Sequence, residues 1–363
     1  MVSVIIDNYN YAGFVGDAIK SVLNQTYTDW ELIVVDDGST DESRDIIESY
    51  CSSYSDRIFP IYKENGGQAS CFNAGVRLAK GDIIAFLDSD DTWKENKIER
   101  IVEAHKQSDY VGHEKEFSNG YKEIIHTEQA DRRTYYLRKY GIGDSYDIIT
   151  STLSLGRKLA EKIFPMPEKE YRICADHYVK YLALYYENPL FLHEKLTEYR
   201  IHGNNGFIVQ KQVTGTAEME FWLDYISVQY VNAKLLSQDE NAELIPMKTC
   251  SRRNAFWKEC AEGFEIRKGE RYVLYGTGDD SDRFLKMIIE LDGTLIAYCD
   301  SNSSKWGKTK NTKTIWSPDE LVNKRSEYDK IIISSMYYYP QIAEGLENIG
   351  LRRGKDYYYT PIF

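Results

Sequence analysis

The chain has 363 residues, 42% of them hydrophobic, with 45 Lys and Arg against 57 Asp and Glu for a net charge of −12. That length suggests two domains with proper cores, and the acidic balance argues against a general nucleic-acid binder, which holds phosphates with clustered cations. The longest apolar runs, such as Leu32–Val35 and Ile83–Leu87, fall far short of the roughly 20 residues that cross a bilayer.

The first element, VSVII (Val2–Ile6), is an apolar strand that begins so early that no signal peptide is expected, and the expected setting is cytoplasmic. Helical spacing over Val15–Gln25 follows, then the strand ELIVV (Glu31–Val35) and a helix near Glu42–Ser52. A third strand (Ile58–Lys63), a third helix (Ser70–Lys80) and the strand GDIIAFL (Gly81–Leu87) complete the pattern. Strands without polar alternation, separated by helices, predict a parallel sheet covered on both faces. Residues 105–146 show no clear period. A strand then a helix is expected over Asp147–Pro165, and another helix over Asp176–Asn188. Residues 213–265 are expected to form a helical connector, and a second α/β pattern from Arg271 predicts a small domain over 266–363. Cys51, Cys71, Cys174, Cys250, Cys260 and Cys299 form no CxxC pair or zinc spacing and are expected as reduced thiols.

Three acidic features end strands of the first domain: Asp7, then Asp36 and Asp37, then Asp88, Asp90 and Asp91. In open α/β sheets ligands bind beyond the carboxyl ends of the strands, so the three are expected to converge. Carboxylate oxygens suit Mg²⁺ or Mn²⁺, which take one or two carboxylates together with substrate phosphates. Any single strand-end aspartate can equally be a helix cap, and Asp37 or Asp41 could serve only that purpose.

In these motifs the chain resembles the family 2 glycosyltransferases of the GT-A fold. VSVIIDNYNYAGFVGDAIKSVLNQTYTDWELIVVDDGSTDES, ENGGQASCFNAG and GDIIAFLDSDDTW stand in the family's order, and the resemblance extends to about residue 205. It implies a GT-A domain over 1–212 that uses a nucleotide-diphosphate sugar and a divalent metal, and inverts the anomeric centre. Asp37 would meet uracil N3–H, with Tyr9 and Asn10 beside the base. Asp88 and Asp90 match the DxD pair, with Asp90 or Asp91 on the metal and the other near the ribose. YRICADHYVKYLAL makes Asp176 the general base, and YRIHGNN makes His202 a candidate for the metal or diphosphate. The chain departs from the common pattern at Asp7, where Pro or Thr is usual, at Phe72, where many relatives carry Arg, and at Ala175, where many carry Glu.

The last domain resembles Rossmann-like appendages of bacterial sugar-modifying enzymes. YVLYGTGDDSD has Ser281 where a third glycine would complete GxGxxG, and Asp300 ends the next strand. Asp279 and Asp280 oppose a pyrophosphate at that helix start, so an assembly role, including homo-oligomer formation, is expected over NAD binding. The overall expectation is an enzyme of surface polysaccharide or glycoconjugate synthesis, with a saccharide or lipid-linked acceptor and peripheral contact at the inner membrane face. A metal-dependent nucleotidyltransferase and a non-catalytic nucleotide-sugar-binding protein are the alternatives.

Overall fold

The structure, a computed structural model, describes residues 1–119, 134, 137–138, 148–202, 205, 216–246, 267–278, 280–290, 292–334, 339–352 and 355–359. Cys250, Cys260, Asp279 and the boundaries expected at 212/213 and 265/266 lie outside the described residues. The chain forms two compact units, Met1–Lys248 and Thr249–Ile362.

The first unit begins with β1 (Val2–Asn8), α1 (Ala12–Leu23), β2 (Trp30–Asp36) and α2 (Ser43–Ser53), followed by β3 (Ile58–Tyr62), α3 (Gln68–Leu78) and β4 (Ile83–Asp88). Strand β1 lies between β2 and β4 and is parallel to both. Successive residues enter two separate cores: Ile5, Ile33, Val35 and Phe86 on one face, Val4, Ile6, Val34 and Leu87 on the other. This two-sided burial is why the strands show no polar alternation.

Beyond β4 the sheet turns mixed. The elements are β5 (Thr92–Trp93), α4 (Lys97–Ala104), β6 (Tyr110–Phe117) and β7 (Ser154–Gly156), then α5 (Arg157–Ile163), α6 (Ala175–Tyr186), β8 (Leu190–Tyr199) and α7 (Thr216–Gln238). Strand order is β3-β2-β1-β4-β7-β6-β8-β5, with β7 antiparallel to both β4 and β6. Strand β8, unanticipated from the sequence, is only partly buried, so its residues carry no clean apolar run. Helix α7 falls in the segment expected as a connector, and it packs within the first unit. There Val228, Val231 and Leu235 join the core, and the Tyr171 hydroxyl meets Ser227 Oγ at 3.1 Å.

The second unit contains β9 (Arg271–Tyr275), α8 (Asp280–Glu290), β10 (Thr294–Cys299), β11 (Thr309–Lys310) and β12 (Lys313–Trp316). It continues with α9 (Pro318–Asn323), β13 (Lys330–Ile333), α10 (Tyr339–Asn348) and β14 (Tyr357–Tyr359). Its sheet runs β11-β12-β10-β9-β13-β14, with β9 parallel to β10 and β13. The chain starts in the middle, winds outward through β10 and β12, then returns to add β13 and β14, which is the Rossmann-like arrangement.

Candidate active site

The register of the first sheet brings its acidic ends to one level. Asn8 stands opposite Asp36, and Asp7 opposite Asp88. Asp36 is buried and supports the fold: Arg44 Nε donates to it at 2.7 Å and the Ser39 N–H at 3.2 Å. Asp41 caps helices, accepting the N–H groups of Ala12 and Ser43 at 2.9 and 3.0 Å. Asp37 does something else. Its carboxylate accepts Lys63 Nζ at 2.5 Å, the Gly66 N–H at 2.9 Å and the Gly67 N–H at 2.7 Å. The Cys71 thiol is hydrogen-bonded to the same buried carboxylate. Beside it Asn10 sits in the left-handed region at φ 57°, with Oδ1 accepting the Thr40 N–H at 2.7 Å, while Tyr9 is 46% exposed.

One oxygen each from Asp88, Asp90 and Asp91 lies within 4.8 Å of the other two. The turn that holds them is organised by Ser151, a residue no sequence motif singles out. Its hydroxyl accepts the Asp88 N–H at 3.1 Å and donates to Asp91 Oδ2 at 2.6 Å. Its carbonyl in turn accepts Lys97 Nζ at 2.6 Å, Thr197 Oγ1 at 2.8 Å and Trp93 Nε1 at 3.1 Å. Asp91 is fully buried, and its other oxygen accepts the Arg200 N–H at 3.0 Å. Asp90 faces His202 Nε2 at 3.1 Å and Asn205 Nδ2 at 3.2 Å. His202 itself stacks on Phe14, ring centroids 4.4 Å apart.

Crowding and burial set the electrostatics of this edge. Burial first, then Asp90, pushes the Asp7 carboxyl up to about 7. Burial and the neighbouring Asp7, Asp90 and Asp91 push Asp88 well above the usual range. Asp91 rises to about 8 through burial and Asp90, and burial raises Asp90 against the opposing pull of His202. Carboxylates in that condition gain from a cation. Clustered hard oxygens with an imidazole nitrogen beside them fit Mg²⁺ or Mn²⁺.

Asp176, in the first turn of α6, is buried, yet its carboxyl lies below the usual range. Burial pushes it up, but the buried Lys180 one turn along, Nζ at 3.1 Å, and the adjacent His177 more than offset that. The carboxylate is therefore ionised at neutral pH. Its link to the acidic turn is Gln68, which stands inside the ENGGQASCFNAG motif but has no role assigned by it: Nε2 donates to Asp88 Oδ1 and Oε1 accepts the Ala175 N–H, both at 2.9 Å. Phe72, a departure from the common family pattern, is buried against Phe86.

The family model described as Glycosyl transferase family 2 matches residues 3–164. An uncharacterized glycosyltransferase of Nostoc sp. is 38% identical over 245 residues, covering 64% of this chain and 74% of that protein. The chain belongs to glycosyltransferase family 2. TuaG of Bacillus subtilis, a putative teichuronic acid biosynthesis glycosyltransferase, is 44% identical over 104 residues, which is 28% of this chain and 41% of TuaG. Among solved structures, S. aureus TarS 1-349 in complex with UDP-GlcNAc superposes with a TM-score of 0.51 at 18% identity, covering 71% of this chain and 70% of that one; the two share the fold. A separate model, C2185-like, N-terminal, matches residues 268–355.

Proposed function

We propose that this family 2 member is an inverting transferase that moves a sugar from a UDP-sugar to a hydroxyl of a saccharide or lipid-linked saccharide. The observation that carries this is the joining, through Gln68, of the start of α6, which bears the buried ionised carboxylate of Asp176, to the crowded Asp88–Asp91 turn. Asp176 takes the proton of the acceptor hydroxyl as that oxygen attacks the anomeric carbon from the side opposite the diphosphate. One C–O bond forms while the other breaks, so configuration inverts. Lys180 keeps the base charged before the acceptor arrives.

On the donor side, Asp37 accepts uracil N3–H, with Tyr9 and Asn10 flanking the base. Asp90 and His202 would hold Mn²⁺ or Mg²⁺, with Asp88 turned toward the ribose and Asp91 fixing the turn through Ser151. When bound, the ion supplies positive charge to the departing diphosphate. The likeness to TuaG supports surface polysaccharide or glycoconjugate assembly as the setting. Among the described residues no helix is long and apolar enough to cross a membrane, and a lipid-linked acceptor would be met at the inner membrane face.

The test is calorimetric titration of UDP with and without Mn²⁺, followed by release of UDP from a panel of UDP-sugars. Binding that requires Mn²⁺, with turnover of one sugar, supports the proposal. Tight binding without turnover of any nucleotide sugar would point instead to a non-catalytic binding protein.

A further inference from the structure

We propose that the Gly66–Ala69 segment, the turn into α3, couples the donor half of the site to the base, and that Gln68 is its positioning residue. This rests on the donor and base roles proposed above. The turn touches all three parts of the site. Gly66 and Gly67 donate their N–H groups to Asp37. The Gln68 and Ala69 N–H groups donate to the carbonyls of Arg172 and Tyr171 at 2.9 and 3.1 Å, holding the segment that leads into α6. The Gln68 side chain then joins Asp88 to the Ala175 N–H, one residue before Asp176.

Each contact has a local reason. Gly67 lies at φ +87°, and a Cβ there would fall 2.4 Å from Arg172 Cα, so the turn and the 171–175 segment approach this closely only because the residue is glycine. Cys174 begins α6 in the left-handed region at φ 54° and offers no side-chain cap, which leaves the first N–H groups of the helix in need of an acceptor. Gln68 Oε1 supplies one from another element. A neutral amide can accept there and donate to a carboxylate at its other end. A carboxylate in its place would face Asp88 with like charge.

The consequence is a division of labour. Gln68 sets where the base stands relative to the donor carboxylates, and misplacement of a reacting group by about 1 Å costs on the order of 100-fold in rate. Its loss should therefore lower kcat far more than it weakens donor binding.

The experiment uses the full chain with Gln68→Leu and Gln68→Glu. In the absence of donor, hydrogen exchange across residues 173–178 should be about tenfold faster in Gln68→Leu than in the wild type. Gln68→Glu, which keeps an acceptor for Ala175, should exchange like the wild type and remains informative if the leucine variant folds poorly. With Mn²⁺ and UDP, both variants should bind UDP within about threefold of wild type, while kcat for UDP-sugar turnover falls about 100-fold. Wild-type exchange and turnover in Gln68→Leu, or equal losses in affinity and kcat, would overturn the coupling role. If the wild-type protein turns over no UDP-sugar, the functional proposal fails, and the exchange comparison alone decides the bridge.

Discussion

The two sheets end in opposite electrostatic states. At the carboxyl edge of the first, Asp7, Asp88, Asp90 and Asp91 crowd together and are pushed up by burial and by one another. At the corresponding edge of the second, Asp300 lies below the usual range: burial raises it, but its bonds from Thr277 and Lys305 (Nζ at 2.9 Å) more than compensate. The Asn302 N–H adds a third partner at 2.9 Å. Both folds place an aspartate where a ligand is usually read. Only the first leaves its acids short of positive charge. Position on a fold is therefore weaker evidence for a cation site than the balance of charge around the side chain.

The largest expected effect comes from Asp176, the proposed base. Asp176→Asn should lower turnover by about 10³-fold while UDP binding stays within about threefold, a split readable by single-turnover assay and calorimetry. Asp90→Asn should remove the Mn²⁺ dependence of UDP binding, weakening it on the order of 100-fold. If that variant binds UDP as well as wild type in the presence of Mn²⁺, the unsatisfied charge of this edge has some other use.

The pH dependence should also separate the two edges. Asp7, near 7, and Asp91, near 8, bind more protons folded than unfolded, so their contribution to stability is present at low pH and is lost as pH rises from about 4 through 8. Mn²⁺ bound at the proposed site should oppose that loss. The rise in melting temperature it produces should be about 2–4 °C larger at pH 8 than at pH 6. Asp300 has the opposite sign: its contribution is present above the unfolded value near 4 and is lost on acidification. The smallest effect is expected from Asp300→Asn, which should cost about 1 kcal/mol of stability, reduced by the partial exposure of Lys305. UDP binding and turnover should not change, and a loss of either would mean that the second edge also serves the reaction.

The strongly patterned parts of the fold were legible in the residues. VSVII, ELIVV and GDIIAFL are buried on both faces, and their composition says so directly. Strands β8, β11, β12 and β14 were not, because they are short or half exposed. Helix α9 had a readable signal in the Ser317–Glu320 capping box. Of the candidate site, Asp37, Asp88, Asp90, Asp91, Asp176 and His202 stand in motifs, and the Lys180 partner of Asp176 sits at the i+4 position that a helix implies.

What the sequence by itself determined is the set of chemical groups at the strand ends and their rough order along the edge, since strand direction and motif order follow from local pattern. Tertiary structure alone decided which of those acids are satisfied. Arg44 neutralises Asp36, Ser151 and Arg200 secure Asp91, and Gln68 spans from Asp88 to α6. Most of these partners lie dozens of residues away in the chain. No local period encodes such contacts, which exist only once the sheet has brought distant segments together.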